Sequence, residues 1–274
     1  MRCSGHESFA CRFAWIPKAV EAIQGDPLGL DDEDRAMVDV GVGRNMVRSI
    51  RFWVQAFGVA APSKKGLQLT AFGKAVFGRR GLDPYLEDAR TLWLLHWNLA
   101  SNRNDPLFAW DFLLSKWPKP EFTRKEVVAA AVHALRSAER PVSEATLEQH
   151  FDIFLKTYCA SPTDGDVLED ELDSPLVQIR LVETVLPQGT KSQRDAVYSL
   201  SLEEKQGVSA QMFTYCLDDF WRRFRSTEKT LSFRDIAFAS GALGTVFRLP
   251  EQAIRNRLES IEKDSEGLFE FRNL

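Results

Sequence analysis

Apolar residues recur at helical spacing through most of the chain. The first repeat, Phe13, Ile16, Val20 and Ile23, predicts a helix over 13–23. A turn-rich break over 25–30 follows, and Asp31-Asp32-Glu33-Asp34 then places acid where the positive end of a helix dipole favours it. A short second helix is expected over 36–40. Gly41-Val42-Gly43 turns into a third helix over 44–57, whose apolar stripe is Met46, Val47, Ile50, Trp53, Val54 and Phe57. Beyond Gly58 and Pro62, Lys64-Lys65-Gly66 reads as a hairpin tip, with a strand over 67–70 returning to a helix over 71–77. Helix, turn, helix and basic hairpin in that order form the pattern of a winged helix-turn-helix.

The stretch 84–117 reads as helical and rich in aromatics. Tyr85, Trp93, Trp97, Phe108, Trp110, Phe112 and Trp117 are expected to pack between helices, with Trp93, His96 and Trp97 on one face. Thr123 with Glu126 three residues on has capping-box spacing and opens a helix over 123–137, and Ser143 opens another over 143–155. The segment 160–174, with Pro162, Gly165 and acids from Asp164 to Asp173, reads as a solvated linker. Short strands are expected over 177–185 and 196–200, around a polar turn at 188–194. A helix over 209–224 is anchored by Phe213, Tyr215, Phe220, Trp221 and Phe224. Helices over 232–239 and 250–261, with 267–273 as a wing, make a second winged-helix-like module. The expected fold is therefore mainly α: an N-terminal winged helix-turn-helix domain (1–82), a helical domain (83–160), an acidic linker with short strands (161–200), and a C-terminal winged-helix-like domain (201–274).

Charge sharpens this picture. The 274-residue chain carries a formal net charge of -4, yet from Val40 to Leu82 it holds Arg44, Arg48, Arg51, Lys64, Lys65, Lys74, Arg79 and Arg80 and no acid. Arg44, Arg48, Arg51 and Gln55 recur at helical steps, on the face opposite the apolar stripe. A solvated helix face is the ordinary explanation of such a row. Exposed helices usually interleave signs, however, so a row without acid favours a polyanion, and double-stranded DNA is the leading partner. The candidate DNA-contact residues are Arg44, Asn45, Arg48, Arg51 and Gln55 on the third helix, Lys64 and Lys65 on the hairpin, and Arg255 on the last helix. Phosphate contacts would dominate, with one or two side chains near base edges. In the C-terminal module, Glu251 and Glu259 partly balance the arginines, and scaffolding explains it equally well. No apolar run reaches the roughly 18 residues of a bilayer span, so no membrane association is expected. The N-terminus lacks a signal-peptide core, and four scattered cysteines suit the cytoplasm.

Candidate chemistry clusters near the N-terminus. His6, Glu7 and Arg12 could position a metal-bound water and stabilise charge on a phosphoryl group, with Glu7 as the metal ligand; Glu7 as a helix cap and His6 at the surface is the competing reading. Cys3, His6 and Cys11 lack a fourth zinc ligand. Glu87 and Asp88 are further candidate catalytic acids, although adjacent carboxylates point apart and acids at a helix start are common. Asp195 with Glu203-Glu204-Lys205 has the residue types of a metal-dependent nuclease core at a spacing that arises often by chance. No Walker A loop, G-x-G-x-x-G or H-E-x-x-H occurs, so nucleotide hydrolysis and nicotinamide chemistry have no support.

Four segments together carry a family resemblance: Gly5-His6-Glu7-Ser8-Phe9 with Arg12 and Trp15; 41–53; Asp83-Pro84-Tyr85-Leu86-Glu87-Asp88 with 91–97; and Gly244-Thr245-Val246-Phe247-Arg248-Leu249. They make the chain similar, over essentially its whole length, to the SspB-like family, a domain of unknown function found beside phosphorothioation genes. The resemblance implies a bacterial anti-phage setting of single-stranded DNA phosphorothioation. There the protein would be a nickase using a divalent metal (Mg or Mn) to open one strand for sulfur incorporation. Sulfur chemistry would fall to partner proteins: a cysteine desulfurase, an ATPase and an ATP-pyrophosphatase-like sulfur transferase. It implies no catalytic residues, so those named above rest on their own chemistry. A homodimer is expected, because paired modules often read short sites. The alternatives are a non-catalytic DNA-binding recruiter of the sulfur-transfer partners and a winged-helix transcriptional regulator.

Overall fold

A computed structural model describes residues 1–136, 142–159, 174–185 and 196–272. The expected linker over 160–174 and polar turn over 188–194, with Asp195, lie almost wholly outside these residues. The first helix, α1 (Trp15–Gly25), buries Trp15, Ile16, Ala19, Val20 and Ile23. Next, α2 (Glu33–Val40) starts where the Asp32 carboxylate accepts the Arg35 amide, and it ends at Gly41 in the left-handed conformation a C-terminal glycine permits. Helix α3 (Arg44–Ala56) buries Val47, Ile50, Phe52, Trp53 and Val54. Strands β1 (Ala60–Ser63) and β2 (Gly66–Leu69) form an antiparallel hairpin with Ala60 opposite Leu69, and α4 (Ala71–Phe77) follows, capped by Thr70. Gly66 holds the hairpin against the loop before α2. A Cβ there would sit 2.3 Å from the Pro27 carbonyl oxygen, and the next amide, Leu67, bonds that same oxygen.

The middle of the chain contains α5 (Ala89–Ala100), α6 (Phe108–Asp111) running into a π-helical turn, β3 (Glu121–Thr123), α7 (Arg124–Ala134) and α8 (Glu144–Tyr158). The Thr123–Glu126 capping box is formed. After a 3-10 turn at Pro175–Ile179, β4 (Val182–Val185) and β5 (Val197–Leu200) join β3 in an antiparallel sheet of order β3-β5-β4. The helices α9 (Ala210–Phe224), α10 (Phe233–Phe238), α11 (Leu243–Val246), α12 (Glu251–Glu259) and α13 (Ile261–Asp264) close the fold. The fold is mainly helical with a few short strands, as expected.

Three expectations needed correction. The helical stretch 84–117 is interrupted, because Asn102 accepts the Asn104 and Asp105 amides and turns the chain ahead of Pro106. The strand expected over 177–185 shrinks to β4, since Pro175 nucleates a helical turn ahead of it. The C-terminal wing is not formed among the described residues. There the tail folds back, and Phe269 stacks on Trp221 of α9 with ring centroids 5.5 Å apart.

A single apolar cluster runs through the described elements from Cys11 to Ile261. Two buried polar contacts set its register. Trp110 Nε1 donates to Tyr158 Oη at 2.8 Å, that hydroxyl meets His96 Nδ1 at 2.7 Å, and His96 Nε2 meets the Val246 carbonyl at 2.8 Å. Since a carbonyl only accepts, His96 carries its proton on Nε2 and Tyr158 donates to Nδ1. Gly244 lets α11 approach α10, because a Cβ would fall 2.2 Å from the Ala237 carbonyl oxygen. The second contact joins His6 Nε2 to His150 Nδ1 at 3.0 Å, with the two rings stacked.

Burial holds all three histidines neutral. It pulls His96 and His6 down to about 4 and His150 to about 3, from an ordinary value of 6.5. Repulsion from Arg2 adds to the fall of both His6 and His150. Above the unfolded value both states are neutral. Below it the unfolded chain takes up protons that the folded protein refuses, so stability falls with pH until the folded values are reached. The slope is up to about 1.4 kcal/mol per pH unit for each histidine. Thermal melting should therefore show a Tm that drops steadily from about pH 7 to pH 5. A flat Tm over that interval would mean that the rings accept protons in place.

Candidate nucleic-acid interface

The cationic face of α3 does not stand open. Arg44 pairs with Asp34 at 2.6 Å and reaches Glu33 at 3.8 Å. Arg48 grips both Glu33 oxygens, at 2.7 and 3.0 Å, and Arg51 pairs with Asp31. The expectation of an uninterrupted positive ridge is corrected by this arrangement. Gly41–Gly43 folds α2 alongside α3, and the acid run at the start of α2 lands over the arginines. The hydrogen bonds from Arg48 hold Glu33 below the usual carboxylate range, partly opposed by desolvation and helped by the fields of Arg48, Arg44 and Arg51. Asn45 is exposed beside this network, and Gln55 donates to the Arg51 carbonyl at 2.8 Å.

The rest of the basic stretch is different. Lys64 and Lys65 at the hairpin tip, Lys74 on α4, and Arg79 and Arg80 beyond it are all exposed, and none has an ion-pair partner among the described residues. Ser63 orders the tip by donating to the Gly66 carbonyl and accepting the Lys65 amide. Arg255 is not the open cation expected: its guanidinium lies 4.8 Å over the Phe233 ring and is half-buried.

The N-terminal loop comes to the same end of the molecule. Gly5, Glu7 and Ser8 adopt positive φ, and the loop is fastened where Ser49 donates to the His6 carbonyl at 3.0 Å and Trp53 to the Phe9 carbonyl at 3.0 Å. His6 is buried with both ring nitrogens engaged, Nδ1 by the Ser8 amide at 3.3 Å and Nε2 by His150, so it does not lie at the surface as the competing reading has it. His150 and Gln149, which bonds Ser8, carry no signal of their own in the sequence, because an α8 histidine on an apolar face looks like any core residue. Glu7 is half-buried and close enough to Arg48 to help hold its charge. The Arg12 guanidinium lies 5.6 Å over Trp15.

The structure does not gather the remaining acids. Asp88 caps α5, accepting the Arg90 amide at 2.8 Å, and pairs with the Arg90 side chain, while Glu87 is exposed. Lys205 is buried and donates to Ser201, and Glu204 pairs with Arg257; these contacts make Glu203-Glu204-Lys205 part of the scaffold. Cys3, Cys11, Cys159 and Cys216 are free thiols. Among the described residues, no three of His, Cys, Asp and Glu converge as metal ligands would. The side chains in place around Glu7 do not fit a divalent-metal centre.

Comparison with known proteins gives two solved structures of high similarity, a magnesium ion-bound SspB crystal structure and an SspB crystal structure. Each superposes with a TM-score of 0.79 at 27% sequence identity, over 96% of this chain and 78% of the other. No curated protein matches. A family model, described as a protein of unknown function, matches residues 3–273, and the chain accordingly belongs to the DUF4007 family.

Proposed function

We propose that this protein binds duplex DNA as a component of a bacterial phosphorothioation system, and that opening one strand for sulfur incorporation is the step it serves. The observation that carries DNA contact is the set of five exposed cations Lys64, Lys65, Lys74, Arg79 and Arg80, unpaired among the described residues. The link to phosphorothioation and nicking rests on the similarity to SspB. The run α1, α2, α3 and hairpin is read as a winged helix-turn-helix in which the wing makes the first backbone contacts. The arginines of α3 form a second, latent contact. Surface ion pairs are weakly held and exchange readily, so phosphates can displace Asp31, Glu33 and Asp34. A non-catalytic DNA-binding subunit that recruits the sulfur-transfer proteins is the second reading. It is favoured by the absence of a converging carboxylate set among the described residues.

Lys64→Ala with Lys65→Ala should weaken duplex binding for every sequence tested and flatten the dependence of log affinity on log salt by about 2. Anisotropy titrations across a range of salt measure this, and identical slopes for wild type and double mutant would remove the hairpin from the contact surface. Glu33→Gln should free Arg48 and tighten duplex binding severalfold at low salt; unchanged affinity would take α3 off the DNA. Nicking is tested with supercoiled plasmid and Mg²⁺ or Mn²⁺. Open circles that form with the metal and vanish with chelator support the enzyme, whereas intact plasmid with salt-sensitive gel shifts assigns the binding subunit.

A further inference from the structure

The aromatic stretch after Pro84 is expected to pack between helices, and Trp93, Trp97, Phe108 and Trp110 do so. Tyr85 does not. It is 70% exposed, and nearby Leu82 is 88% exposed. Two large apolar side chains held out in water, three residues apart, on an otherwise well-packed stretch call for a partner.

The turn that displays them is rigid. Asp83 is buried, and its two carboxylate oxygens accept the Glu87 amide at 2.8 Å and the Asp88 amide at 3.1 Å. Leu86 anchors the turn from inside, buried and held at φ 59°, a conformation that leucine adopts only under constraint. The segment is also tied to α4, with the Leu82 amide on the Ala75 carbonyl at 3.0 Å and the Asp83 amide on the Val76 carbonyl at 2.9 Å. The Tyr85 ring is thus presented on fixed backbone, and little ordering is left for a ligand to impose.

Charge says which ligand. Arg79 and Arg80 lead directly into the turn, exposed and without ion-pair partners among the described residues, and Lys74 is exposed on α4 behind them. Glu87 is exposed on the far side of the turn, and Asp88 is occupied by Arg90. A ring on a rigid turn that two exposed arginines lead into suits an anionic strand with accessible base faces. Duplex DNA offers phosphates but keeps its bases stacked inside, so it would use the cations and leave the ring idle. A single strand uses both. We propose that Tyr85, with Leu82 beside it, stacks an unpaired nucleobase of a single-stranded segment whose phosphates are held by Arg79 and Arg80. This deepens the DNA-binding reading above and rests on it: a protein that opens one strand needs a place to hold an unpaired base.

The test is anisotropy with a labelled single-stranded oligonucleotide of about 12 nucleotides and with the matching duplex, on wild type, Tyr85→Ala and Tyr85→Phe. Stacking on one ring predicts that Tyr85→Ala loses at least about fivefold, and up to roughly a hundredfold, in single-strand affinity. Tyr85→Phe should bind as wild type, and neither variant should change duplex binding. Because Tyr85 is exposed, unchanged melting curves will show that the variants fold. Wild type that binds duplex but no single strand overturns the stacking site and leaves the DNA-binding reading intact. Wild type that binds neither overturns both. Equal single-strand affinity in wild type and Tyr85→Ala also overturns the site and points to a protein partner for the two apolar side chains, whereas an equal loss on both DNA forms overturns it by making Tyr85 a contact that does not need an unpaired base.

Discussion

Everything in this fold depends on satisfying polar groups inside an aromatic core. A buried imidazole or phenol without a partner costs on the order of 1–3 kcal/mol, so each such group demands a matching one at a fixed position. The Trp110–Tyr158–His96–Val246 chain meets that demand with residues from α6, α8, α5 and α11. The His6–His150 contact ties the N-terminal loop to α8 less completely, since His150 Nε2 is buried without a hydrogen-bond partner, and Trp110 lies beside His150 with ring centroids 5.7 Å apart. Trp53 of α3 packs edge-on against Trp110. All four distinctive sequence segments therefore meet in one core. Their specificity as motifs reflects packing and hydrogen-bond matching as much as chemistry, and for that reason His6 is a core residue despite its place in the most distinctive of them.

The electrostatics follow from the same geometry. Packing α1, α2 and α3 around the apolar stripe of α3 forces the outer edges of α2 and α3 together, and the acids of one edge neutralise the arginines of the other. No acid reaches the cations of the hairpin and of the loop after α4 among the described residues. A continuous basic stretch in sequence thus divides into a screened half and an open half. Screening does not abolish the first half. It sets a threshold, since a polyanion must offer more than Asp31, Glu33 and Asp34 do, and its advantage declines as salt rises.

Much of the architecture was legible because its causes are local. Thr123 with Glu126 and Ser143 each cap the helix expected of them, and α4 spans the residues expected of it. The similarity to SspB was legible too, in motif residues that span the chain. What escaped has non-local causes. The acids at 31–34 fit a helix dipole perfectly well, and nothing nearby shows that they also face arginines ten to twenty positions on. Tyr85 has the composition of a core residue, and only the turn fixed by Asp83 and Leu86 puts it outside. The candidate catalytic acids take structural partners: Asp88 caps α5, and Glu7 faces Arg48, with no second carboxylate gathered to it among the described residues.

The open cations and the exposed ring belong to one stretch, from β1 to the start of α5, and its attachments suggest how it works. Thr70 donates to the Gly58 carbonyl at the hairpin base, the Leu67 amide bonds the Pro27 carbonyl near the tip, and the Leu82 amide bonds the Ala75 carbonyl before the turn. Charged and apolar groups are therefore carried on backbone fixed at several points, although their side chains are free. Binding a polyanion to such a surface sacrifices side-chain freedom but almost none of the main chain's, which is the condition under which weak phosphate contacts and a single stacked base add up to useful affinity. The α3 arginines are the reverse case, already ordered by their acid partners. Under the proposed function they would add affinity only when a ligand replaces those partners, which would suit them to selecting among DNA sites first held by the hairpin.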